Sequence, residues 1–169
     1  MREAIGGTWL LGLVLTFIVF FVSFLAVSVN YSKAFNVKNN VVDMIGKYEG
    51  DNCDSREAIG NYLRNTGYLV YGYCPDDNPD DPTAPKYTGY SIDGKKVTKG
   101  SLALYCIKEN SIKRTTDYAA SPAMDKSYYS VVVFFKIDLP LAGNLTSFRI
   151  KGETEFVYYP KNEDERCVG

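Results

Sequence analysis

The stretch TWLLGLVLTFIVFFVSFLAVSV, residues 8–29, determines the architecture of this 169-residue chain. It lies inside a longer run, residues 4–32, that contains no charged side chain. The hydrocarbon core of a bilayer is about 30 Å thick, and about 20 apolar residues in an α-helix cross it. We therefore expect one membrane-spanning helix at the N-terminus, followed by a single domain outside the membrane.

A cleaved secretory signal is the alternative interpretation of this stretch. Such signals have an apolar core of about 7–15 residues behind a basic start. Here only Arg2 is basic, Glu3 opposes it, and Ala26 and Ser28 form a small-x-small cleavage site. Because the apolar stretch is longer than the core of a signal peptide, retention in the membrane is the favoured interpretation.

The residues that follow predict that the helix continues in amphipathic form. Apolar side chains recur at spacings of three and four, which places them in one stripe on a helix. The stripe consists of Ala34, Val37, Val41, Met44 or Ile45, and Tyr48. We expect Gly46 or Gly50 to end the helix. The stripe either packs on the chain's own domain or bundles with copies or relatives of the chain, and the sequence leaves both uses open.

The chain has four cysteines and no histidine. Cys53, Cys74, Cys106 and Cys167 include no C-x-x-C pair, and zinc sites favour closely spaced Cys and His, so a metal site is not expected. Two disulfides are the better interpretation, with four free thiols as the alternative. Of the three possible connectivities we favour Cys53–Cys74 with Cys106–Cys167, which would tie the end of the long helix to the next segment.

Two features of the sequence disagree about the side of the membrane on which the domain lies. Disulfides persist outside the reducing cytoplasm, which favours an extracytoplasmic domain. Lys33, Lys38 and Lys47 follow the apolar stretch, and lysines next to a span favour the cytoplasmic side. We favour the extracytoplasmic side because of the cysteines.

The remainder of the chain suits one domain and predicts an α+β fold. We expect three parts: residues 1–30 as anchor, 31–50 as the amphipathic continuation, and 51–169 as the domain. A short helix begins with Asp54 as its cap and Glu57 reaching back, and ends at Gly67. Strand patterns follow at residues 68–74, 86–92, 95–98, 101–108, 128–138 and 145–159. They predict an antiparallel sheet of four or five strands, with residues 108–125 irregular and a turn at Asp93-Gly94.

The last of these strands alternates in a way that predicts one dry and one wet face. The predicted dry face carries Phe148, Ile150, Gly152, Thr154, Phe156 and Tyr158. The amphipathic helix would lie on this face.

The sequence lacks the groups that the common enzyme classes need. Without histidine there is no Ser-His or Cys-His nucleophile pair, and no glycine-rich phosphate loop occurs. Asp76, Asn78 and Asp80 alternate as in a calcium loop, but Asp81 and Tyr87 stand where that loop needs its glycine and its glutamate. A net charge of −1 gives no reason to expect a nucleic-acid partner. We expect a protein that is not an enzyme and that has no cofactor and no metal.

The overall plan resembles that of type IV pilins and pseudopilins: an N-terminal membrane helix, an amphipathic continuation and a small disulfide-bearing β-domain. The segment VVVFFKIDLPLAGNLTSFRIKGETEFVYY, residues 131–159, is similar to the C-terminal part of TadE-like pseudopilins of tight-adherence pili. The resemblance implies a bacterial cytoplasmic-membrane protein that acts as a minor pseudopilin or assembly component of a pilus or secretion apparatus. Its partners would be membrane lipid and, through the N-terminal helix, other pilin-like subunits.

The chain departs from this family at its N-terminus. Pilin precursors are usually cut after a glycine and then carry a glutamate as their fifth mature residue. Gly6 and Gly7 are the candidate processing glycines, but the fifth residue beyond them is Leu11 or Gly12. An uncut, membrane-resident role is therefore expected. The alternative function is a membrane-tethered extracytoplasmic domain that binds a ligand or acts as a sensor.

Overall fold

The computed structural model describes residues 2–75, 86–112, 126–139 and 143–158, with side chains described except at 2–6, 137–139 and 143–147. Two helices and six strands follow in the order α1 (Arg2–Lys47), α2 (Cys53–Thr66), β1 (Thr88–Tyr90), β2 (Lys96–Val97), β3 (Tyr105–Ile112), β4 (Lys126–Leu139), β5 (Gly143–Glu153) and β6 (Val157–Tyr158). A long apolar helix, one short helix and a small antiparallel sheet confirm the α+β class.

Helix α1 is unbroken over 46 residues, about 69 Å at 1.5 Å per residue. It joins the apolar stretch to the amphipathic stripe without a break, as the periodicity predicts. The helix ends at Lys47, one residue after Gly46. Glu49 then adopts a left-handed φ of 58° and Gly50 a φ of 139°, and the Gly50 amide donates to the Ile45 carbonyl at 3.0 Å. The chain thus turns sharply into α2.

Helix α2 begins two residues earlier than the sequence suggests. The cap is Asn52, whose side chain accepts from the Ser55 amide at 2.9 Å, while the Ser55 hydroxyl accepts from the Asn52 amide at 3.0 Å. This reciprocal pair is a capping box, so the predicted cap at Asp54 is wrong. Gly67 takes the left-handed position after the helix, with φ 66°, as predicted.

The strands form one antiparallel sheet in the order β2-β1-β3-β4-β5, with β6 paired to the start of β4. The β1–β2 hairpin turns at Asp93-Gly94, where Gly94 has φ 69°, as predicted. Strand β3 extends to Ile112, beyond the predicted end at Lys108. The sheet has six strands where four or five are expected, because the final strand pattern divides into β5 and β6.

Because residues 145–159 divide into two strands, the buried positions shift from even-numbered residues, up to residue 154, to an odd-numbered residue in β6. Ile150 and Thr154 are buried as predicted, but after the interruption at residues 154–156 it is Val157 that is buried, while Phe156 and Tyr158 are about half exposed. The Thr154 hydroxyl accepts from the Tyr129 amide at 2.9 Å, which holds the chain at the break. The predicted single dry face over residues 148–158 is therefore wrong beyond Thr154, and it is also wrong at Phe148, which is 41% exposed.

Strand β4 is the centre of the fold and is buried on both faces. Every residue from 129 to 135 is at most 9% exposed. On one face the core combines the stripe of α1, the apolar side of α2, and the sheet residues Tyr129, Val131 and Val133. On the other face Val132 and Phe134 pack with Val70 and the Cys74 side chain. Strand β4 therefore has two dry faces, unlike the last strand pattern, for which one dry and one wet face are predicted.

The segment that covers the second face, residues 68–74, is not a regular strand, so the strand predicted there is wrong. Within it a single bridge, Gly72 to Ala103, joins it to the chain before β3. A Cβ at Gly72 would lie 2.2 Å from the Phe134 ring, so only glycine allows this close crossing. The Tyr68 hydroxyl donates to the Phe134 carbonyl, which anchors the start of the segment.

This crossing decides the disulfide pairing. The bridge at Gly72 brings Cys74 next to β3, and Cys74 is bonded to Cys106. The favoured pairs Cys53–Cys74 and Cys106–Cys167 are therefore both wrong. Cys53 is also disulfide-bonded, and its partner lies outside the described residues.

Three other features of the sequence also lie outside the described residues: Cys167, the acidic loop with Asp76, Asn78 and Asp80, and most of the segment 108–125 that is predicted to be irregular.

Candidate functional site at the junction of helix and domain

Two halves of α1 have opposite environments. From residue 7 to 22 every side chain is exposed, and this bare half includes Trp9 at 74% and Phe20 at 70% exposure. In the packed half, Ala34, Val37 and Val41 are at most 2% exposed. Soluble proteins rarely leave so large an apolar surface uncovered. Within the described residues, α1 is the one helix long and apolar enough to cross a membrane.

The predicted stripe lies mostly on the chain's own sheet. Ala34, Val37, Val41 and Ile45 are buried in the core, and Met44 packs at its edge. Tyr48 is half-buried at the turn into α2. The candidate processing residues Gly6 and Gly7 lie in the first turns of α1, and a Cβ at Gly7 would meet no atom within 4 Å.

Strand β4 runs antiparallel to α1, towards the bare half of the helix. The Tyr31 ring meets the Phe135 ring edge-on with centroids 5.8 Å apart. Further along α1, Lys38 and Val42 pack over Gly152, which pairs with Val131. The end of β4 is therefore the part of the sheet nearest to the bare half. The domain also covers part of α1 before Tyr31, since Ser23, Ala26, Val27 and Asn30 are half-buried on the same side of the helix.

A cleft of about 550 Å³ opens at this junction, between α1, the end of α2 and the end of β4; we call it the junction cleft. Its walls combine apolar side chains, such as Val70 and Phe135, with the amides of Asn30 and Asn36 and the amines of Lys33 and Lys136. No aspartate or glutamate is among its described lining residues. Neither lysine forms an ion pair with a described residue, so the cleft has a net positive charge.

A second cleft of about 560 Å³ lies beside the Cys74–Cys106 disulfide, between the β1–β2 hairpin and the edge of β5; we call it the hairpin cleft. Its polar groups include the Tyr73 hydroxyl, the amines of Lys86 and Lys99, and the Arg149 guanidinium. It lies on the sheet face that residues 70–74 cover, away from α1.

A buried polar cluster holds the turn between α1 and α2 on the sheet. Arg56, 5% exposed, donates from Nε to Asp51 Oδ1 at 2.8 Å, and the Tyr90 hydroxyl donates to Asp51 Oδ2 at 2.5 Å. The Arg56 guanidinium also lies 4.9 Å from the Tyr90 ring, which stacks on Tyr105 at 5.3 Å. Burial, and then the Asp51 carboxylate, raises the pKa of Tyr90 and of Tyr105 above the ordinary tyrosine value.

This cluster joins structural elements and contains no nucleophile next to a base. The roles of Asp51, Arg56 and Tyr90 are not predicted from the sequence. A signal was present, because a positive side chain in the first turn of a helix is opposed by the helix dipole. Arg56 occupies such a position in α2, which indicates an acidic partner elsewhere. No signal of this kind marks Lys136, whose role follows only from its position at the end of β4.

In the described residues no group of three Asp, Glu, Cys or His side chains is placed to hold a metal ion. No protein-family model, curated protein or solved structure matches the chain.

Proposed function

We propose that this chain is a membrane-anchored, pilin-like subunit, a minor pseudopilin or assembly component of a tight-adherence-type pilus or secretion apparatus. The observation that carries the proposal is the division of α1, in which one unbroken helix is bare over residues 7–22 and buries one stripe in the domain over residues 34–45. Such a helix would fix the position of the domain relative to the membrane.

The apolar part of α1 is long enough for a bilayer. Trp9 lies near the start of the bare half, Tyr31 follows the apolar stretch at the other end, and they are 74% and 49% exposed. They are 22 residues apart, about 33 Å along the helix, close to the thickness of a hydrocarbon core. Aromatic side chains of this kind favour the two membrane–water interfaces. The proposed span therefore lies between Trp9 and Tyr31, and its last residues, 23–30, are partly covered by the domain on one side.

The proposed orientation places the domain outside the cytoplasm. The Cys74–Cys106 bond and the bonded state of Cys53 support it, because such bonds persist in oxidising compartments. Lys33 and Lys47 oppose it. Counting thiols in intact membranes with an alkylating reagent, without reductant, distinguishes the two orientations. No reaction at Cys53, Cys74 or Cys106 is expected, and full alkylation of all three would contradict the proposal.

The partner surface in this proposal is the bare half of α1. The stripe over residues 34–45 is covered by the chain's own sheet, so lateral packing with other pilin-like subunits would use residues 7–22. A photo-crosslinking amino acid at Phe20 in native membranes should then form adducts with further copies of the chain or with pilin-like proteins. The same probe at Phe156, an exposed residue of the domain, serves as the control. Adducts with lipid alone at Phe20 would contradict the subunit role and leave the anchor intact.

The proposed subunit stays uncut, because Leu11 or Gly12 occupies the position of the fifth-residue glutamate. Intact mass spectrometry of protein extracted from native membranes checks this. A chain that still contains residues 1–6 is expected. A chain beginning at Gly7 or Thr8 would indicate processing of the pilin type, and one beginning at Val29 would indicate a cleaved signal.

A membrane-tethered ligand-binding domain is the second candidate function. The two clefts favour it, since their volumes of about 550 and 560 Å³ fall within the range of small-molecule sites. Neighbouring genes for a secretion ATPase and a prepilin peptidase would favour the pilus role. Their absence, together with lipid-only adducts at Phe20, would favour the tethered domain.

A further inference from the structure

The junction cleft lies at the depth of the lipid headgroups if α1 spans a bilayer. Lys33 is four residues beyond the apolar stretch, about 6 Å along the helix axis. The headgroup layer on each side of the hydrocarbon core is about 5–7 Å thick. Lys136 follows Phe135, whose ring contacts Tyr31, so both lysines lie at the same level of the molecule.

The chemistry of the cleft is complementary to a phospholipid. Two amines without ion pairs to described residues supply positive charge and N–H donors for phosphate oxygens, and Asn30 and Asn36 add amide groups. Val37, Val70 and Phe135 supply an apolar wall for the start of an acyl chain. The chain as a whole is slightly acidic, with 20 acidic and 19 basic residues, yet the described lining of this cleft includes no carboxylate.

We propose that the junction cleft binds the phosphate headgroup of an anionic phospholipid in the leaflet next to the domain. This inference rests on the proposed membrane anchoring. A bound lipid would fill the space between α1, α2 and β4 and orient the domain relative to the membrane surface. Each lysine near a membrane surface contributes about 1 kcal/mol of attraction to anionic lipid, so the pair accounts for at least a tenfold preference.

The experiment uses the full chain, purified in a mild detergent and freed of lipid, with bound lipids counted by native mass spectrometry. Titration with dioleoyl phosphatidylglycerol should fill one tight site that dioleoyl phosphatidylcholine fills at least about tenfold more weakly. The Lys33→Gln/Lys136→Gln double variant should lose this preference, and the Lys33→Arg/Lys136→Arg double variant should retain it. The matched control is Lys47→Gln/Lys95→Gln, which removes two exposed charges outside the cleft and should behave like the wild type.

Several outcomes would overturn the inference. Equal binding of the two lipids, or equal loss in the cleft and control variants, would show that the cleft has no headgroup site. Displacement of phosphatidylglycerol by inorganic phosphate would identify a site for free phosphate instead of lipid. Reconstitution into phosphatidylcholine vesicles tests the proposed membrane anchoring separately from lipid binding in the cleft. Insertion without a lipid preference would reject lipid binding in the cleft alone. Failure to insert would reject both proposals.

Discussion

The two halves of α1 belong to one helix but are stabilised by different environments. Residues 7–22 expose apolar side chains all round, whereas residues 34–45 bury one stripe against β4 and β5 and expose the rest. A helix that is apolar on every side needs an apolar solvent, and one with a single apolar stripe needs one neighbour. The comparison shows that one continuous helix is adapted to two environments, and that the change occurs within residues 23–34.

The largest expected difference between the halves comes from placing the same charge in each. Val41→Asp buries a carboxylate in the core and should destabilise the domain by more than about 4 kcal/mol, enough to unfold a domain of ordinary stability. Val19→Asp in the bare half should leave the domain folded and weaken membrane insertion by about 2.5–3.5 kcal/mol.

Thermal unfolding of the full chain in detergent, followed by circular dichroism, measures the first effect, and alkaline extraction of membranes measures the second. If Val19→Asp unfolded the domain, or if Val41→Asp did not, the proposed division of the helix would be wrong.

The next effect concerns the domain alone. Replacing Cys74 and Cys106 together by alanine removes a cross-link between residues 32 apart in sequence. On the loop-entropy model this loss costs about 3–4 kcal/mol. The unfolding midpoint of the domain should fall while membrane retention is unchanged. A midpoint equal to that of the wild type would show that the Gly72 crossing holds the segment without the disulfide.

A smaller effect separates two helical glycines. Alanine at Gly60 in α2 would place its Cβ 2.3 Å from the Ile92 carbonyl oxygen, so the domain should lose about 1–3 kcal/mol by overpacking. Alanine at Gly12 in the bare half meets no atom within 4 Å and should not change the unfolding of the domain. Equal unfolding midpoints for the two variants would contradict the close packing of α2 on the β1–β2 hairpin.

The smallest effect is a dependence on alkaline pH that only the packed region should show. Burial raises the pKa of Tyr68 from 10.0 to about 12, so the folded state holds this proton more tightly than the unfolded state. The stability that results is fully present below pH 10 and is lost as the pH rises from 10 to 12. The free energy of unfolding should fall over this range, and Tyr68→Phe should make the fall shallower. An unchanged slope in the variant would assign the fall to other groups.

The features that follow from contiguous residues were predictable. The 46-residue helix, the stripe from Ala34 to Ile45, the Gly67 stop and the Asp93-Gly94 turn are each encoded within a few turns or a few residues of chain. The Asn52 cap was missed because Asp54 offers the same chemistry two residues later. Local propensity does not choose between two good caps, whereas the hydrogen bond from Asn52 Nδ2 to the Tyr48 carbonyl at 2.7 Å ties the choice to the preceding turn.

The candidate site was less predictable, because its residues come from distant parts of the chain. Lys33 was visible as a charge next to the apolar stretch, but its partner Lys136 is more than a hundred residues away. Tyr90 likewise meets Asp51 and Arg56 only because α2 docks beside β1. Burial on both faces of β4 depends on the crossing of residues 68–74, which no alternation of residues in β4 reveals.

By itself, the sequence determined an apolar helix long enough for a membrane, its amphipathic continuation and the α+β class, since periodicity and composition are properties of neighbouring residues. The tertiary structure alone decided the Cys74–Cys106 pairing, the packing of the stripe on the chain's own sheet and the position of the junction cleft. Each of these depends on which segments meet across the sheet, and that is set when Gly72 crosses Phe134 and when β4 lies antiparallel to α1.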